Sequence, residues 1–217
     1  MSQRAAALKP EMQYADLAQQ GETAQLGMWI FLATEVLFFG GMMAAYLAYR
    51  MTYNADFDAA AKESVIWIGS VNTAVLVTSS LTMVMAIHAA AERERQPIVY
   101  FLLATAALGL IFLGLKGYEY VEDYNDAVVP VLNFHPKEGN PGAVELFWLF
   151  YFYATLLHAV HLTIGIILVF FMAVRAKRGA FDAGYYAPLE VVGLYWSFVD
   201  TVWVFLFALI YPIGRSG

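Results

Sequence analysis

Cysteine is absent from the 217 residues, and charged residues make up only 14% of them. Without cysteine there is no disulfide framework and no thiolate metal site, which leaves the redox compartment open. The scarcity of charge excludes more. An ordinary soluble domain is about 25% charged and about 45–50% apolar, whereas this chain is 61% hydrophobic. A soluble sphere of that composition would lack polar surface, so the apolar excess calls for lipid or a large partner surface. A basic tract is also missing. The formal net charge of −6 is spread over the loops, which argues against nucleic acid as a partner. Residues 1–25 carry Arg4, Lys9, Glu11, Asp16 and Glu22 with no apolar centre, so no cleaved signal peptide is expected there. No internal repeat or low-complexity tract is visible.

What the sequence does hold is long apolar runs. A helix crossing a bilayer needs roughly 20 apolar residues. Five runs qualify, at about 26–49, 65–90, 97–115, 146–174 and 187–211. Barrel strands would alternate over about 10 residues, and these runs are continuous. The expected fold is therefore all-α: a polytopic membrane bundle of five transmembrane helices, preceded by a cytoplasmic segment 1–25 and forming one domain over 26–213. The stretch Gly117–Gly142 is acidic and interrupted by proline, and reads as an ordered extramembrane loop. Basic residues set the orientation. An N-in/C-out arrangement puts Arg4, Lys9, Arg93, Arg95, Arg175, Lys177 and Arg178 inside, and Arg50, Lys62, Lys116, Lys137 and Arg215 outside. Seven against five is a small excess, reinforced by the compact cluster after the fourth helix.

Five ionisable residues fall inside these runs: Glu35, His158, His161, Glu190 and Asp200. A charge deep in a bilayer is costly, so each raises a functional hypothesis. On the fourth helix Tyr151, Thr155, His158, His161 and Gly165 lie within about 120° of one another. On the fifth, Glu190, Gly193, Ser197 and Asp200 lie within about 80°. His161 and Asp200 both lie roughly 20 Å from the cytoplasmic end, at about 1.5 Å per residue. A histidine–aspartate contact at mid-membrane is therefore expected. Such a pair could fix helix packing, take part in proton movement or, least economically, ligate a metal. A bis-histidine haem would need a partner at matching depth, and His88 at a helix end and His135 in the loop do not supply one. No metal ligand is assigned. Glu35 is expected to face protein, with the small residues Gly40, Ala44 and Ala48 on roughly the opposite side suited to close helix contact. Arg175, at the cytoplasmic end of the fourth helix, could grip the phosphate of a lipid head group or simply mark the interface. A secondary transporter would commonly show repeats and broken helices, which are not seen here.

The order of motifs resembles cytochrome c oxidase subunit III, of the haem-copper respiratory oxidases. Met28-Trp-Ile-Phe-Leu-Ala-Thr-Glu35-Val-Leu-Phe-Phe39 is similar to the family's glutamate helix. Gly117-Tyr-Glu119-Tyr looks like its Glu-Tyr signature. Ala154-Thr-Leu-Leu-His158-Ala-Val-His161 is similar to its paired-histidine helix, and Glu190 through Trp203 to its terminal helix. The resemblance covers about residues 25–213. Five helices correspond to the short bacterial form rather than the seven-helix form, and Ser197 stands where the family often has histidine. The resemblance implies a non-catalytic subunit of an oxygen-reducing, proton-translocating enzyme in the bacterial inner membrane. It implies that the chain binds no cofactor itself, with haems and copper in partner subunits. It further implies packing on subunit I beside subunit II, bound phospholipid, support of proton uptake and catalytic lifetime, and membership of a larger respiratory supercomplex as an open question. Carried over, Glu35 is the proton- or lipid-related glutamate, and His158, His161, Glu190 and Asp200 match other intramembrane polar positions. A ubiquinol oxidase or nitric oxide reductase subunit remains the alternative.

Overall fold

The computed structural model describes residues 9–64, 66–130, 132–135 and 139–212. Val65, Arg4, Lys137 and Arg215, all used in the sequence reading, lie outside the described residues. The elements are α1 (Leu17–Thr52), α2 (Asn54–Glu63), α3 (Ile66–Ala91), α4 (Arg95–Asn125), β1 (Val128–Val129), β2 (Asn133–Phe134), α5 (Pro141–Lys177) and α6 (Ala187–Ile210). Among the described residues, five of the six helices, all but α2, are long and apolar enough to cross a membrane. The two short strands form a small antiparallel pair, with Val128 opposite Phe134.

Local chemistry explains where the helices end. Asp16 caps α1 by accepting from Gln19 N at 2.8 Å, while Gln19 Oε1 accepts from Ala15 N at 2.7 Å. This reciprocal pair starts the helix well before the apolar run begins. Asn140 accepts from Gly142 N at the start of α5, and Pro141 occupies the first turn, where no amide partner is needed. At the other end Gly179 adopts φ +80, Gly179 N bonds Ala176 O and Ala180 N bonds Arg175 O. These two bonds close the last carbonyls of α5, and the positive φ is why glycine stands there. The third apolar stretch, 97–115, behaves differently from expectation at its C-terminal side. α4 continues ten residues past Leu115 because Lys116, Glu119 and Asp123 recur at helical spacing and bury on one face. Only the remainder of the Gly117–Gly142 stretch is loop and hairpin.

The terminal helix lies at the centre. α6 packs against α1, α3 and α5, while α4 bridges α3 and α5. Half of the α6 span is buried, against 17% of the α1 span, so α1 is a peripheral helix leaning on α6. Tight spots fix the register. A Cβ on Gly109 would come within 2.9 Å of Trp196 and 3.0 Å of Ile166, and one on Gly165 within 3.2 Å of Trp196. The fully buried Trp196 ring therefore fills a notch that two glycines leave open. α2, short and amphipathic, buries Phe57, Ala60 and Ala61 against α5.

Candidate functional site

α1 and α5 bring Glu35 and His161 together. Glu35 Oε2 lies 3.2 Å from His161 Nε2. The ring's other nitrogen, Nδ1, is 2.8 Å from the carbonyl of Leu157 on the same helix. A carbonyl only accepts, so Nδ1 carries a hydrogen. The remaining contact then needs one further proton, on the carboxyl or on Nε2, because two acceptors cannot bond each other. Phe39 packs edge-on against the imidazole, ring centres 5.2 Å apart, and Tyr195 OH donates to the carbonyl of His161 at 2.9 Å. The two side chains keep 19% and 17% exposure, so the pair is held but not sealed. Chemically it is a one-proton dyad with an open side.

The expected histidine–aspartate contact does not form. Asp200 turns to α3, where the hydroxyl of Ser80 donates to its Oδ2 and Ser79 Oγ approaches at 3.4 Å. His158 Nε2 donates to Val199 O at 3.1 Å, and its ring lies between Phe112 and Trp203. His158 lies level with Val199 and His161 with Tyr195, so the antiparallel register brings neither imidazole to the Asp200 carboxyl. α6 is surrounded by three helices. The Val199 carbonyl meets His158 of α5, while the Asp200 carboxyl meets the serines of α3. Two atoms are left buried without a partner, Asp200 Oδ1 and His158 Nδ1. Glu190 sits at the N-terminal end of α6 and accepts from Gln25 Nε2 at 3.0 Å. Arg175 lays its guanidinium over Phe171 and Phe181, 6.0 and 5.9 Å from the ring centres. Gly40 has no atom of this chain within 4 Å of a built Cβ, and Ala44 and Ala48 are exposed, so that stripe packs on nothing within the chain.

Sequence reasoning missed the most polar cluster. Lys116, Glu119 and Asp123 of α4, Tyr151 of α5 and Tyr211 beyond α6 interlock below the surface. Lys116 Nζ donates to Glu119 Oε2 at 3.0 Å, Tyr151 OH at 3.0 Å and Tyr211 OH at 2.7 Å. Its ammonium also lies 4.5 Å from the Tyr151 ring centre. The i, i+3, i+7 spacing of the three charges was the available signal, obscured because Lys116 stands at the end of an apolar run. Smaller polar ties join α3 to its neighbours: Thr82 to Thr105, Trp203 Nε1 to Thr73 and Trp196 Nε1 to Ser79. Outside the spans, Arg95 forms an ion pair with Asp182 and holds that carboxyl below the usual range. Among the described residues, no three His, Asp or Glu side chains converge as a metal site would require.

The family model for cytochrome c oxidase subunit III matches residues 12–215. The chain belongs to that family. Among its relatives, the "Probable quinol oxidase subunit 3" of Staphylococcus epidermidis is 29% identical over 196 residues, covering 90% of this chain and 91% of the relative. The protein of the same description from Staphylococcus aureus is 29% identical over 198 residues, again 90% and 91%. The chain is thus subunit III of a haem-copper oxidase, a family that implies association with the oxidase's catalytic subunits. In these terms the Glu35–His161 dyad joins two helices of subunit III that the sequence had singled out separately.

Proposed function

We propose that this subunit carries no redox centre and works by packing on subunit I, beside subunit II, where it supports proton uptake and catalytic lifetime in a bacterial inner membrane. The haems and copper belong to the partner subunits. The observation that carries the reading is the Glu35–His161 dyad. It holds one proton, stays partly open, and sits on the peripheral helix α1. Such a group can hand protons to, or shape the field around, an entry site on a neighbouring subunit. A groove of about 650 Å³ between α1 and α6, lined by Trp29, Val36, Leu37, Leu194 and Phe198 among others, offers an apolar bed for a phospholipid chain. Arg175, propped on two rings, supplies a guanidinium for a head-group phosphate.

The test is oxygen consumption by the native complex with Glu35→Ala, from about pH 6.5 to about 9, followed over many turnovers. The complex is expected to assemble and turn over, with a loss in rate or lifetime that grows as pH rises and protons become scarce. PH profiles and inactivation rates identical to wild type would remove the proton-supply reading. Abolished activity in an intact complex would remove it equally, since it would place an essential step here. Two electron donors each have an observation behind them. The family description speaks for cytochrome c, and the names of the Staphylococcus relatives speak for a quinol. Supplying reduced cytochrome c or a quinol to the same preparation decides between them, and leaves the role of subunit III untouched.

A further inference from the structure

We infer that the buried cluster Lys116–Glu119–Asp123–Tyr151–Tyr211 is a second proton-binding site, holding one proton on the Asp123 carboxyl at the opposite end of the bundle from Glu190. The inference does not rest on the proton-supply reading above. Its ground is a count of hydrogens. The three N–H bonds of Lys116 are all used, on Glu119 Oε2, Tyr151 and Tyr211. Tyr211 gives its single hydrogen to Glu119 Oε1 at 2.6 Å. Tyr151 also has one hydrogen, yet its oxygen lies 2.8 Å from Glu119 Oε1 and 2.9 Å from Asp123 Oδ2. With both carboxyls ionised, one of these short oxygen–oxygen contacts has no hydrogen in it. A proton on Asp123 Oδ2 completes the set: Asp123 donates to Tyr151, Tyr151 donates to Glu119, and every contact holds one hydrogen.

The same proton balances the charge. Lys116 is the one cation among the described residues in hydrogen-bond or ring contact with the cluster, and it faces two carboxyls. Buried charges that lack a partner are costly. Among the described residues, the other titratable groups nearby supply no second cation. They are Tyr120 and Asp126 from α4 and, across the Trp203 ring from Lys116, His158 of α5. β1, packed on α4 and α5, brings only Val128 and Val129. Trp148, 1% exposed, leaves an unpartnered indole N–H beside the cluster, its ring 5.1 Å from that of Tyr151. Asp123, at 6% exposure against 2% for Lys116 and 1% for Glu119, is the member closest to solvent. The O–H bond therefore forms at Asp123, with a proton taken from water on that side and returned to it on release.

The experiment uses the intact oxidase complex and infrared difference spectra of wild type against Asp123→Asn and Glu119→Gln, in light and heavy water. The wild type should show a deuterium-sensitive carbonyl stretch of a protonated carboxyl that Asp123→Asn removes, and that falls in amplitude as pH is raised. Glu119→Gln should shift this band without abolishing it. A carboxylic region unchanged in Asp123→Asn would overturn the assignment. Should that variant fail to assemble, Tyr211→Phe takes its place. It keeps every charge and loses one donor, so the band should move in frequency, and a band that stays fixed would overturn the assignment as well.

Discussion

Asp200 and His161 do not touch, and the reason lies largely in azimuth: the Asp200 carboxyl meets Ser80 of α3, while His161 meets Glu35 of α1. A helical wheel places a polar side chain on a face, and a rise of about 1.5 Å per residue places it at a level. Neither says which of several helices the face meets. The five ionisable groups were legible because they interrupt long apolar runs; His158 and Asp200 are buried, while Glu35, His161 and Glu190 are partly so. Their partners were not legible, since Glu35 finds His161 across α1–α5 and Asp200 finds Ser80 across α6–α3. These pairings predict separate couplings. Asp200→Asn should lower the thermal midpoint of the assembled complex by a loss of about 1–2 kcal/mol, the scale of a buried hydrogen bond to a charged or polar partner. It should leave the haem bands unchanged. In a double-mutant cycle it should couple with Ser80→Ala by about 0.5 kcal/mol or more, and with His161→Gln by less than that. Strong coupling to His161 would restore the histidine–aspartate pair that the geometry rejects.

Elements show the complementary pattern: the spans were legible and their ends were not. Five apolar runs mapped onto α1, α3, α4, α5 and α6, since lipid permits few alternatives to a helix. Capping and buried charge then moved the boundaries, through Asp16 at one end of α1 and Lys116, Glu119 and Asp123 at the end of α4. α2 went unseen because its apolar face of Phe57, Ala60 and Ala61 is too short to register as a run. Close packing also hid in plain residues. Gly109 and Gly114 are both interior to α4, yet only Gly109 faces Trp196, while nothing of this chain lies within 4 Å of a Cβ on Gly114. Gly109→Val should therefore destabilise the complex by about 1–3 kcal/mol through overpacking. Gly114→Ala should fall within about 0.5 kcal/mol of wild type or gain slightly, since alanine favours a helix. Thermal inactivation midpoints of the two variants check this, and equal losses would mean that the α4–α6 notch is not where the structure puts it.

Orientation belongs to the whole molecule, and here the structure changes the arithmetic of charge. The sequence set seven basic residues inside against five outside. Lys116, counted with the outer five, is buried within α4 and satisfied by Glu119, Tyr151 and Tyr211, so it no longer acts as a loop charge. Four remain on that side against seven, the balance that an N-in/C-out arrangement would carry under the positive-inside rule. The cluster of Arg93, Arg95, Arg175, Lys177 and Arg178 gathers at the α3–α4 and α5–α6 turns, where Arg95 also ties the second turn to the first through Asp182. The absence of cysteine makes a direct test simple, because any introduced thiol is the only one in this chain. Met51, 85% exposed near the end of α1, and Ala183, exposed in the α5–α6 turn, are separated by three crossings in the five-helix map. In intact spheroplasts an impermeant maleimide should label Met51→Cys and reach Ala183→Cys only after the membrane is opened. The reverse pattern would invert the bundle and place the Lys116 cluster on the cytoplasmic side. Labelling of both from one side would break the five-helix map itself, because an odd number of crossings cannot return the chain to the face it left.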